Sequence, residues 1–233
     1  MGGLYISASG ILNAVRRNEV TANNIANLRT PGFRASRAQS VERASGGVEI
    51  GNILRDPRPG PTELTGHPLD LASRDGFFRV TREDGSVAFT RDGRFGLNAN
   101  GEVVTASGAR LQPPISVPPG AQNITVNADG GVFATLSTGV APSRIGTIEV
   151  VRFTNPGGLE AIGNNLLRET PASGPPSAVS ALPELESGAL QGSNVDLVTE
   201  QVNLLLNRNA FEANLAAFRV QSEVLGELLD LIE

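Results

Sequence analysis

Apolar residues recur at helical spacing at both ends of the chain. Near the N-terminus the stripe comprises Leu4, Ala8, Ile11, Val15, Ala22 and Ile25. Near the C-terminus it comprises Phe211, Leu215, Phe218, Ser222, Leu225, Leu229 and Ile232, in alternating steps of four and three. Such steps keep side chains on one face of a helix, and an average of 3.5 residues is typical of a coiled-coil seam. The pattern predicts a long amphipathic helix at each terminus, with a face that packs against other helices.

Turn and capping residues set the predicted bounds of these helices. The first helix is predicted to begin near Gly3 and to end near Leu28, because Pro31 disfavours helix in the residue before it and cannot continue the hydrogen-bond ladder. The last helix is predicted to begin at Ser193 or Asn194, either of which can cap it. It would run for about 38 residues, or roughly 55 Å. A small β-domain is too short to cover it, so its stripe needs other chains.

Short β-branched and aromatic runs, separated by glycine-containing turns, fill the middle of the chain. The predicted strands lie at 77–81, 87–90, 95–97, 103–105, 124–126, 132–136 and 147–153. Asp-Gly and Asn-x-Asn-Gly turns between such runs are typical of an antiparallel meander. The stretch 34–66 has no sustained period, and we expect an extended arm with a short strand at 48–53.

The predicted fold class is therefore α+β. Its terminal helices pair as a coiled-coil-like bundle, an extended arm follows the first helix, and the middle domain is all-β and antiparallel. The predicted domains are a terminal helical assembly domain at 1–33 and 193–233, the arm or linker at 34–66, and a β-rich domain at 67–192. The last of these ends in a return segment rich in Pro, Gly and Ser.

Composition narrows the possible functions. The formal net charge is −5, which disfavours nucleic acid as a partner. Residues 1–66 carry eight arginines and five acidic residues, whereas residues 195–233 carry two arginines and seven acidic residues. Opposite charges favour pairing of the two ends, although solvated helix faces explain them equally well. No apolar run reaches about 18 residues, so we expect no membrane span.

The chain contains no cysteine, so it can enter an oxidising compartment without mispairing. The N-terminus lacks the apolar core of a secretory signal. We therefore expect any export from the cytoplasm to proceed without a cleaved signal of the ordinary kind.

Candidate catalytic and metal-binding residues are sparse. His67 is the single histidine and has no neighbouring ligand in the sequence. The glycine-rich stretch 46–51 lacks the lysine of a phosphate-binding loop. Asp84, Asp92 and Asp129 each precede a glycine, which turn geometry explains. We therefore predict no catalytic site, no cofactor and no metal, and a protein that is not an enzyme.

Several motifs, taken in order, resemble those of the bacterial flagellar rod and hook axial proteins. They are Ala-Asn-Asn-Ile-Ala-Asn at 22–27, Thr-Pro-Gly-Phe-Arg at 30–34, Pro-Leu-Asp-Leu-Ala at 68–72, Gly-Phe-Phe-Arg-Val at 76–80, Ala-Phe-Thr-Arg-Asp-Gly at 88–93, Ser-Asn-Val-Asp-Leu-Val-Thr-Glu at 193–200 and Asn-Ala-Phe-Glu-Ala-Asn at 209–214. The resemblance covers nearly the whole chain, and the order of the motifs is more specific than any one of them.

The resemblance implies a structural subunit of the flagellar basal-body rod, distal or proximal. Such subunits polymerise into a hollow helical drive shaft that transmits motor torque to the hook, with the paired terminal helices lining the tube and the β-domain outward. The implied partners are copies of the chain, other rod and hook proteins, the type III export apparatus, and the rod-cap or P- and L-ring proteins. The implied location is the periplasm-spanning rod of the basal body.

Alternatives from the same reasoning are a flagellar hook subunit and, from another class, a soluble β-domain that binds a ligand or wall polysaccharide and is dimerised by its helices. The predicted assembly interface comprises Leu4, Ala8, Ile11, Val15, Ala22, Asn24, Ile25, Asn27, Val198, Val202, Leu205, Phe211, Asn214, Leu215, Phe218, Leu225, Leu229 and Ile232. Its asparagines either fix the register of the helices by hydrogen bonding or lie on solvated and channel-lining faces.

Overall fold

Long α-helices occupy both ends of the chain, as the sequence predicts. In the computed structural model, α1 spans Gly2–Ala26 and α2 spans Leu197–Asp230. The structure describes residues 2–74, 76–137, 141–178 and 185–231, without the side chain of Leu229. The bounds of α1 lie within two residues of the predicted ones. Helix α2 is 34 residues long, which is shorter than the predicted length because its first turn begins later.

The cap of α2 differs from the prediction. The Oδ1 atom of Asp196 accepts a hydrogen bond from the backbone N–H of Thr199 at 2.7 Å, which is the geometry of an N-cap. The prediction of Ser193 or Asn194 as the cap is therefore wrong. The Nδ2 atom of Asn194 donates instead to the carbonyl oxygen of Arg58 at 2.8 Å. All three residue types cap helices well, and tertiary contacts decide which of them does so here.

The chain between the helices forms short strands. Their bounds are β1 Ser36–Glu42, β2 Val48–Arg55, β3 Thr62–Leu64, β4 Leu71–Ser73, β5 Phe77–Thr81, β6 Val87–Thr90, β7 Phe95–Leu97, β8 Val103–Thr105, β9 Arg110–Leu111, β10 Asn123–Val126, β11 Gly131–Thr135, β12 Ser143–Thr147, β13 Val150–Arg152, β14 Glu160–Gly163, β15 Leu166–Arg168, β16 Ser177–Ala178, β17 Leu185–Ser187 and β18 Ala189–Gln191. A short 3-10 helix spans Pro156–Gly158. The strands pair antiparallel, so the α+β fold class with an antiparallel middle is confirmed.

One sheet follows the order β14–β15–β6–β5–β9–β8–β7, with β13 beside β5 and β16 beside β13. Strands β10, β11 and β12 form another sheet, while β4 pairs with β17 and β3 pairs with β18. The predicted run 147–153 is divided between β12 and β13. Between these strands the N–H of Ile148 donates to the carbonyl oxygen of Gly130 at 2.8 Å. Strands β5 to β8 match the predicted ranges residue for residue.

Aromatic side chains fill the core on both faces of the sheet that contains β5. Phe78 packs edge-to-face on Phe95, with ring centroids 5.2 Å apart, in one cluster. Its neighbour Phe77 points to the opposite face and packs on Phe153 at 5.4 Å. Phe89 contacts the same ring of Phe153 at 4.9 Å. Consecutive residues of a strand point to opposite faces, so the Phe-Phe pair of β5 serves both clusters.

The chain divides into a helical unit and a β unit. The helical unit comprises Met1–Leu28, Ala35–Asp56 and Val195–Glu233, and the β unit comprises Arg29–Arg34 and Pro57–Asn194. The stretch 34–66, predicted as an extended arm, is therefore divided between them. Its first part forms an antiparallel hairpin of β1 and β2 within the helical unit. Gly46 and Gly47 make the hairpin turn at φ +83° and +89°, a conformation that favours glycine.

The segment that follows α1 is anchored within the β unit. The N–H of Gly32 donates to the carbonyl oxygen of Gln191 at 2.7 Å. The guanidinium of Arg34 donates to Oε1 of Gln191 at 2.7 Å, and Nδ2 of Asn165 donates to the carbonyl oxygen of Pro31 at 2.7 Å. Gly32 has φ +69°, and a Cβ there would lie 2.6 Å from neighbouring backbone. The Thr-Pro-Gly-Phe-Arg motif thus ends α1 and also belongs to the β unit.

Candidate assembly surface

Helices α1 and α2 pair antiparallel with a constant register. Asn24 contacts Glu200, and a Cβ added at Gly10 would meet the amide of Asn214. A step of 14 residues along α1 therefore matches a step of 14 residues in the opposite direction along α2. Fourteen residues are two heptads, so the pair has the period of a coiled coil.

The face of α2 that packs on α1, here called the seam, alternates polar and apolar layers in its described part. One heptad position carries Glu200, Asn207, Asn214 and Gln221. The other carries Leu204, Phe211, Phe218 and Leu225. These side chains are buried or half-buried. Buried polar layers lower stability but specify register, because a shift by one layer places amides against apolar side chains.

Glycines of α1 lie opposite amide side chains of α2. A Cβ at Gly10 would lie 2.3 Å from Oδ1 of Asn214, and a Cβ at Gly3 would lie 2.9 Å from Nε2 of Gln221. The Oγ atom of Ser7 donates to Oε1 of Gln221 at 3.1 Å. Small residues on α1 therefore allow its backbone to approach the amide layers of the seam closely.

Asn24 joins α1, α2 and the hairpin. Its side chain is 1% exposed. The Nδ2 atom donates to the carbonyl oxygen of Ser36 at 2.8 Å and to Oε1 of Glu200 at 3.0 Å, while Oδ1 accepts from the N–H of Ser36 at 2.8 Å. Both amide protons and the carbonyl oxygen are thereby satisfied. The Asn-Asn-Ile-Ala-Asn motif thus supplies a buried three-element junction.

The hairpin attaches to α1 through further polar contacts. The N–H of Val48 donates to Oγ of Ser9 at 3.1 Å. The Nδ2 atom of Asn13 donates to Oγ of Ser40 at 3.0 Å. Ser9 and Asn13 are buried, so each contact satisfies a polar group that burial would otherwise destabilise.

The predicted interface residues differ in exposure. Asn24 is buried; Leu4, Ala8, Ile11, Ile25, Asn27, Phe211, Asn214, Leu215, Phe218 and Leu225 are half-buried; Val15, Ala22, Val198, Val202 and Leu205 are exposed. Ile232 and the side chain of Leu229 lie outside the described residues. Ser222, part of the predicted stripe, is exposed, and Gln221 is half-buried beside it. The structure thus partly buries the second group and leaves the third group at the surface of the helical unit.

Sequence reasoning missed most of the buried polar residues of the helical unit. They are Ser7, Ser9, Asn13, Thr21 and Glu200. A search for apolar periodicity cannot find them. The signal that could have found Glu200 is the seven-residue spacing from Glu200 through Asn207 and Asn214 to Gln221.

A second apolar stripe runs along α2 on the side away from the seam. This outer stripe comprises Val198, Val202, Leu205 and Val220. Its side chains are between 49% and 68% exposed. A residue two positions after a seam residue lies about 200° further round the helix, as Val202 does relative to Glu200. Helix α2 is therefore apolar on opposite sides, and α1 covers only one of them.

The cap of α2 provides a pH-dependent prediction. Hydrogen bonds from the side chain and the backbone N–H of Thr199 lower the pKa of Asp196. A lowered pKa means that the ionised cap stabilises the helix start at neutral pH, and this stabilisation is lost as pH falls through the lowered value. Amide exchange at Thr199 should therefore accelerate on acidification. In Asp196→Asn, whose side chain does not ionise, the exchange at this position should be insensitive to pH after correction for intrinsic rates.

The described residues offer little for catalysis. Nδ1 of His67 lies 4.0 Å from Oδ1 of Asp70, and the histidine side chain is largely exposed. Within the described ranges, His, Asp and Glu side chains form no group of three or more that could hold a metal ion. A search of the same ranges finds no helix with the length and apolarity that crossing a membrane requires.

Three segments of the chain match known protein families. Residues 4–34 match the family described as Flagella basal body rod protein. Residues 73–134 match the Flagellar hook protein FlgE/F/G D1 domain, and residues 186–231 match the Flagellar basal body rod FlgEFG protein C-terminal family. The first and last matches cover much of α1 and α2, and the middle match covers strands of the β unit.

Curated relatives resemble the chain over nearly its whole length. The flagellar basal-body rod protein FlgG of Caulobacter vibrioides is 36% identical over a gapped alignment of 256 positions that covers 97% of each chain. FlgG of Bacillus subtilis is 33% identical over 260 aligned positions that cover 98% of each chain. The flagellar basal-body rod protein FlgF of Caulobacter vibrioides is 32% identical over 227 aligned positions that cover 90% of this chain and 89% of the relative. The chain therefore belongs to the flagellar basal-body rod protein family, a family of structural proteins.

Proposed function

We propose that this chain is a rod subunit that polymerises with copies of itself into a hollow helical shaft, which transmits torque from the motor to the hook. The observation that carries the proposal is the similarity to FlgG proteins over 97% or more of both chains. The helical unit supports it physically, because the outer stripe of α2 exposes apolar side chains along much of the helix. Exposed apolar surface of this extent is typical of an interaction site.

The proposal also specifies where the subunit lies in the flagellum, which proteins it contacts and how it is exported. The FlgG relatives, of which this chain covers more than it does of FlgF, favour an FlgG-like subunit of the rod, distal or proximal. The partners would be other copies, neighbouring rod and hook proteins, and the rod-cap or P- and L-ring proteins. Export would proceed through the flagellar export apparatus without a cleaved signal peptide, into a rod that spans the periplasm. Absence of cysteine is compatible with that compartment.

Deletion of the gene from the bacterium that carries it tests the proposal. The expected result is loss of swimming and of a complete rod in isolated basal bodies. An epitope inserted in an exposed turn of the complementing chain, such as the one at Gly85, should label the rod in electron micrographs. Label on the hook alone, or swimming cells with complete rods after deletion, would contradict it.

Val202→Asp should block assembly without unfolding the subunit. Val202 is half-exposed on the outer stripe, so the change should alter the free energy of unfolding by no more than about 0.5 kcal/mol. A buried aspartate at a contact between subunits would be strongly unfavourable. The matched control is Gln201→Asp, also exposed but off the stripe. Swimming and rod incorporation should be lost in the first variant and retained in the second; equal incorporation of both variants would show that the stripe makes no contact.

A further inference from the structure

A groove lies between α1 and the hairpin, within the helical unit. Its volume is about 430 Å³, and its apolar walls are Leu12 and Val20 of α1 with Val48, Ile50 and Ile53 of β2. Leu12 is 66% exposed and Ile53 is 52% exposed. The groove therefore presents aliphatic side chains to solvent from both walls.

Polar groups of the groove already have partners inside the subunit. Ser9 accepts the N–H of Val48, and Asn13 is bonded to Ser40. Because Ser9 and Asn13 make their hydrogen bonds inside the subunit, they offer little to a polar ligand. The surface that the groove presents to a ligand is therefore mainly apolar.

The rim of the groove is charged but paired. Nη1 of Arg16 lies 3.2 Å from Oε2 of Glu19, and Nη2 of Arg43 lies 2.6 Å from Oε2 of Glu49. Paired charges of both signs give the rim no strong preference for an anion or a cation. An apolar occupant with polar flanks fits these walls and this rim.

We propose that the outer stripe of α2 from a second copy of this chain occupies the groove. The inference rests on the proposed function and identifies the surfaces that join one subunit to the next. The stripe cannot enter the groove of its own chain, because Val202 lies about 200° round the helix from Glu200, which faces α1. A stripe that fills the groove therefore comes from another chain.

Charge selects the groove over another α2 as the partner of the stripe. Residues 195–233 carry seven acidic residues and two arginines, so two α2 helices side by side would repel each other. The segments 1–28 and 35–56, which contain the groove, carry five arginines and four acidic residues. Contact of the stripe with the groove avoids the repulsion that two α2 helices would experience, and this difference discriminates between the two partners.

The contact also has the symmetry that a shaft requires. The stripe and the groove are different surfaces, so each copy offers a stripe to one neighbour and a groove to another. Such head-to-tail contacts extend without limit when the rotation between copies does not close a ring. Two different surfaces on one subunit thus suffice to build an open helical polymer.

Cysteine crosslinking in isolated basal bodies tests the contact. Because the chain has no cysteine, introduced thiols are the only ones it carries. Leu12→Cys is combined with Val202→Cys in one chain, expressed in place of the native gene, and the basal bodies are treated with a short bismaleimide. A ladder of covalent multimers is expected on denaturing gels. Both positions are exposed, so neither change disturbs a packed core.

Matched variants make the result specific. Leu12→Cys with Gln201→Cys, one residue off the stripe, should give at least fivefold less multimer, and Ile53→Cys with Val202→Cys should repeat the ladder from the other wall. Rods that assemble normally but show equal multimer for Val202 and Gln201 would overturn this contact and leave the proposed function standing. Covalent dimers from Val202→Cys alone would mean that α2 packs on α2, and crosslinks only to other rod proteins would exclude a second copy. Absence of the native chain from basal bodies would refute the proposed function itself.

Discussion

Gly10→Val should separate α1 from α2 and abolish incorporation of the chain into the rod. The Cβ of any larger residue at this position would lie 2.3 Å from Oδ1 and 2.5 Å from Cγ of Asn214. Asn214 cannot withdraw without cost, because its Nδ2 donates to the carbonyl oxygen of Ala210 in the same helix at 2.7 Å. Overpacking of this kind costs about 1–3 kcal/mol, and valine, with two further methyl groups, should fall at the upper end.

Two measurements test the expected effect of Gly10→Val on helix stability and on motility. Chemical unfolding monitored by helical circular dichroism should show a less stable helical unit, and swimming assays should show non-motile cells. The matched control is Gly226→Ala, at a position of α2 where an added Cβ meets nothing within 4 Å. That change should be neutral or stabilising by up to about 1 kcal/mol, because alanine favours the helix over glycine.

A double substitution tests whether the clash with Asn214 is the cause. Gly10→Ala alone should be destabilising, and adding Asn214→Ala should recover most of the lost stability, since a methyl group then replaces the amide opposite it. A coupling of about 1 kcal/mol is expected for residues in contact. Purely additive effects, or a motile Gly10→Val strain with normal helix stability, would mean that the helices do not approach at this point.

The sequence predicts the elements of the fold better than it predicts their contacts. Strand β5, at Phe77–Thr81, has its predicted bounds, because β-branched and aromatic residues followed by Asp84-Gly85 leave few alternatives. Helices α1 and α2 have a sustained apolar period. In each case the local pattern predicts the element that forms, although in α1 the predicted stripe residues Val15 and Ala22 are exposed.

The hairpin of β1 and β2 is harder to predict because it packs through polar groups. The backbone of Ser36 bonds to Asn24 of α1, and the side chain of Ser40 bonds to Asn13, so polar contacts hold β1 without an alternation of apolar and polar residues. The Gly46-Gly47 turn is a hairpin signal on its own, but without alternation in the flanking strand it does not distinguish a hairpin from an irregular loop.

The seam of α2 shows a second limit of prediction from apolar periodicity. Apolar periodicity identifies Phe211, Phe218 and Leu225, which are half-buried in the structure. It does not identify Asn207 and Gln221, because these seam residues are polar and the search counts only apolar residues. It also cannot separate the seam from the start of the outer stripe, since Val198, Val202 and Leu205 repeat in steps of four and three, as seam residues do.

Asn24→Ala should be the most damaging single change in the Asn-Asn-Ile-Ala-Asn motif. It removes the donor to Glu200, whose side chain is buried with a residue exposure of 6%, and both hydrogen bonds to the backbone of Ser36. A buried polar group left without its partner costs about 1–3 kcal/mol, and a carboxylate costs more. We expect a loss of about 2–4 kcal/mol in the stability of the helical unit, together with loss of swimming.

The neighbouring asparagine provides the matched control, because Asn23 is exposed on the same helix. Asn23→Ala should leave stability within about 0.5 kcal/mol of the native value, or raise it slightly through better helix propensity. Glu200→Gln keeps an acceptor for Asn24 and should be much milder than Asn24→Ala. Amide exchange at Ser36 separates the junction from a general helix effect, because its N–H donates to Oδ1 of Asn24 and should lose protection in Asn24→Ala alone. Equal protection at Ser36 in all three variants would mean that the hairpin is held by other contacts, and that the motif serves α1 rather than the junction of α1, α2 and the hairpin.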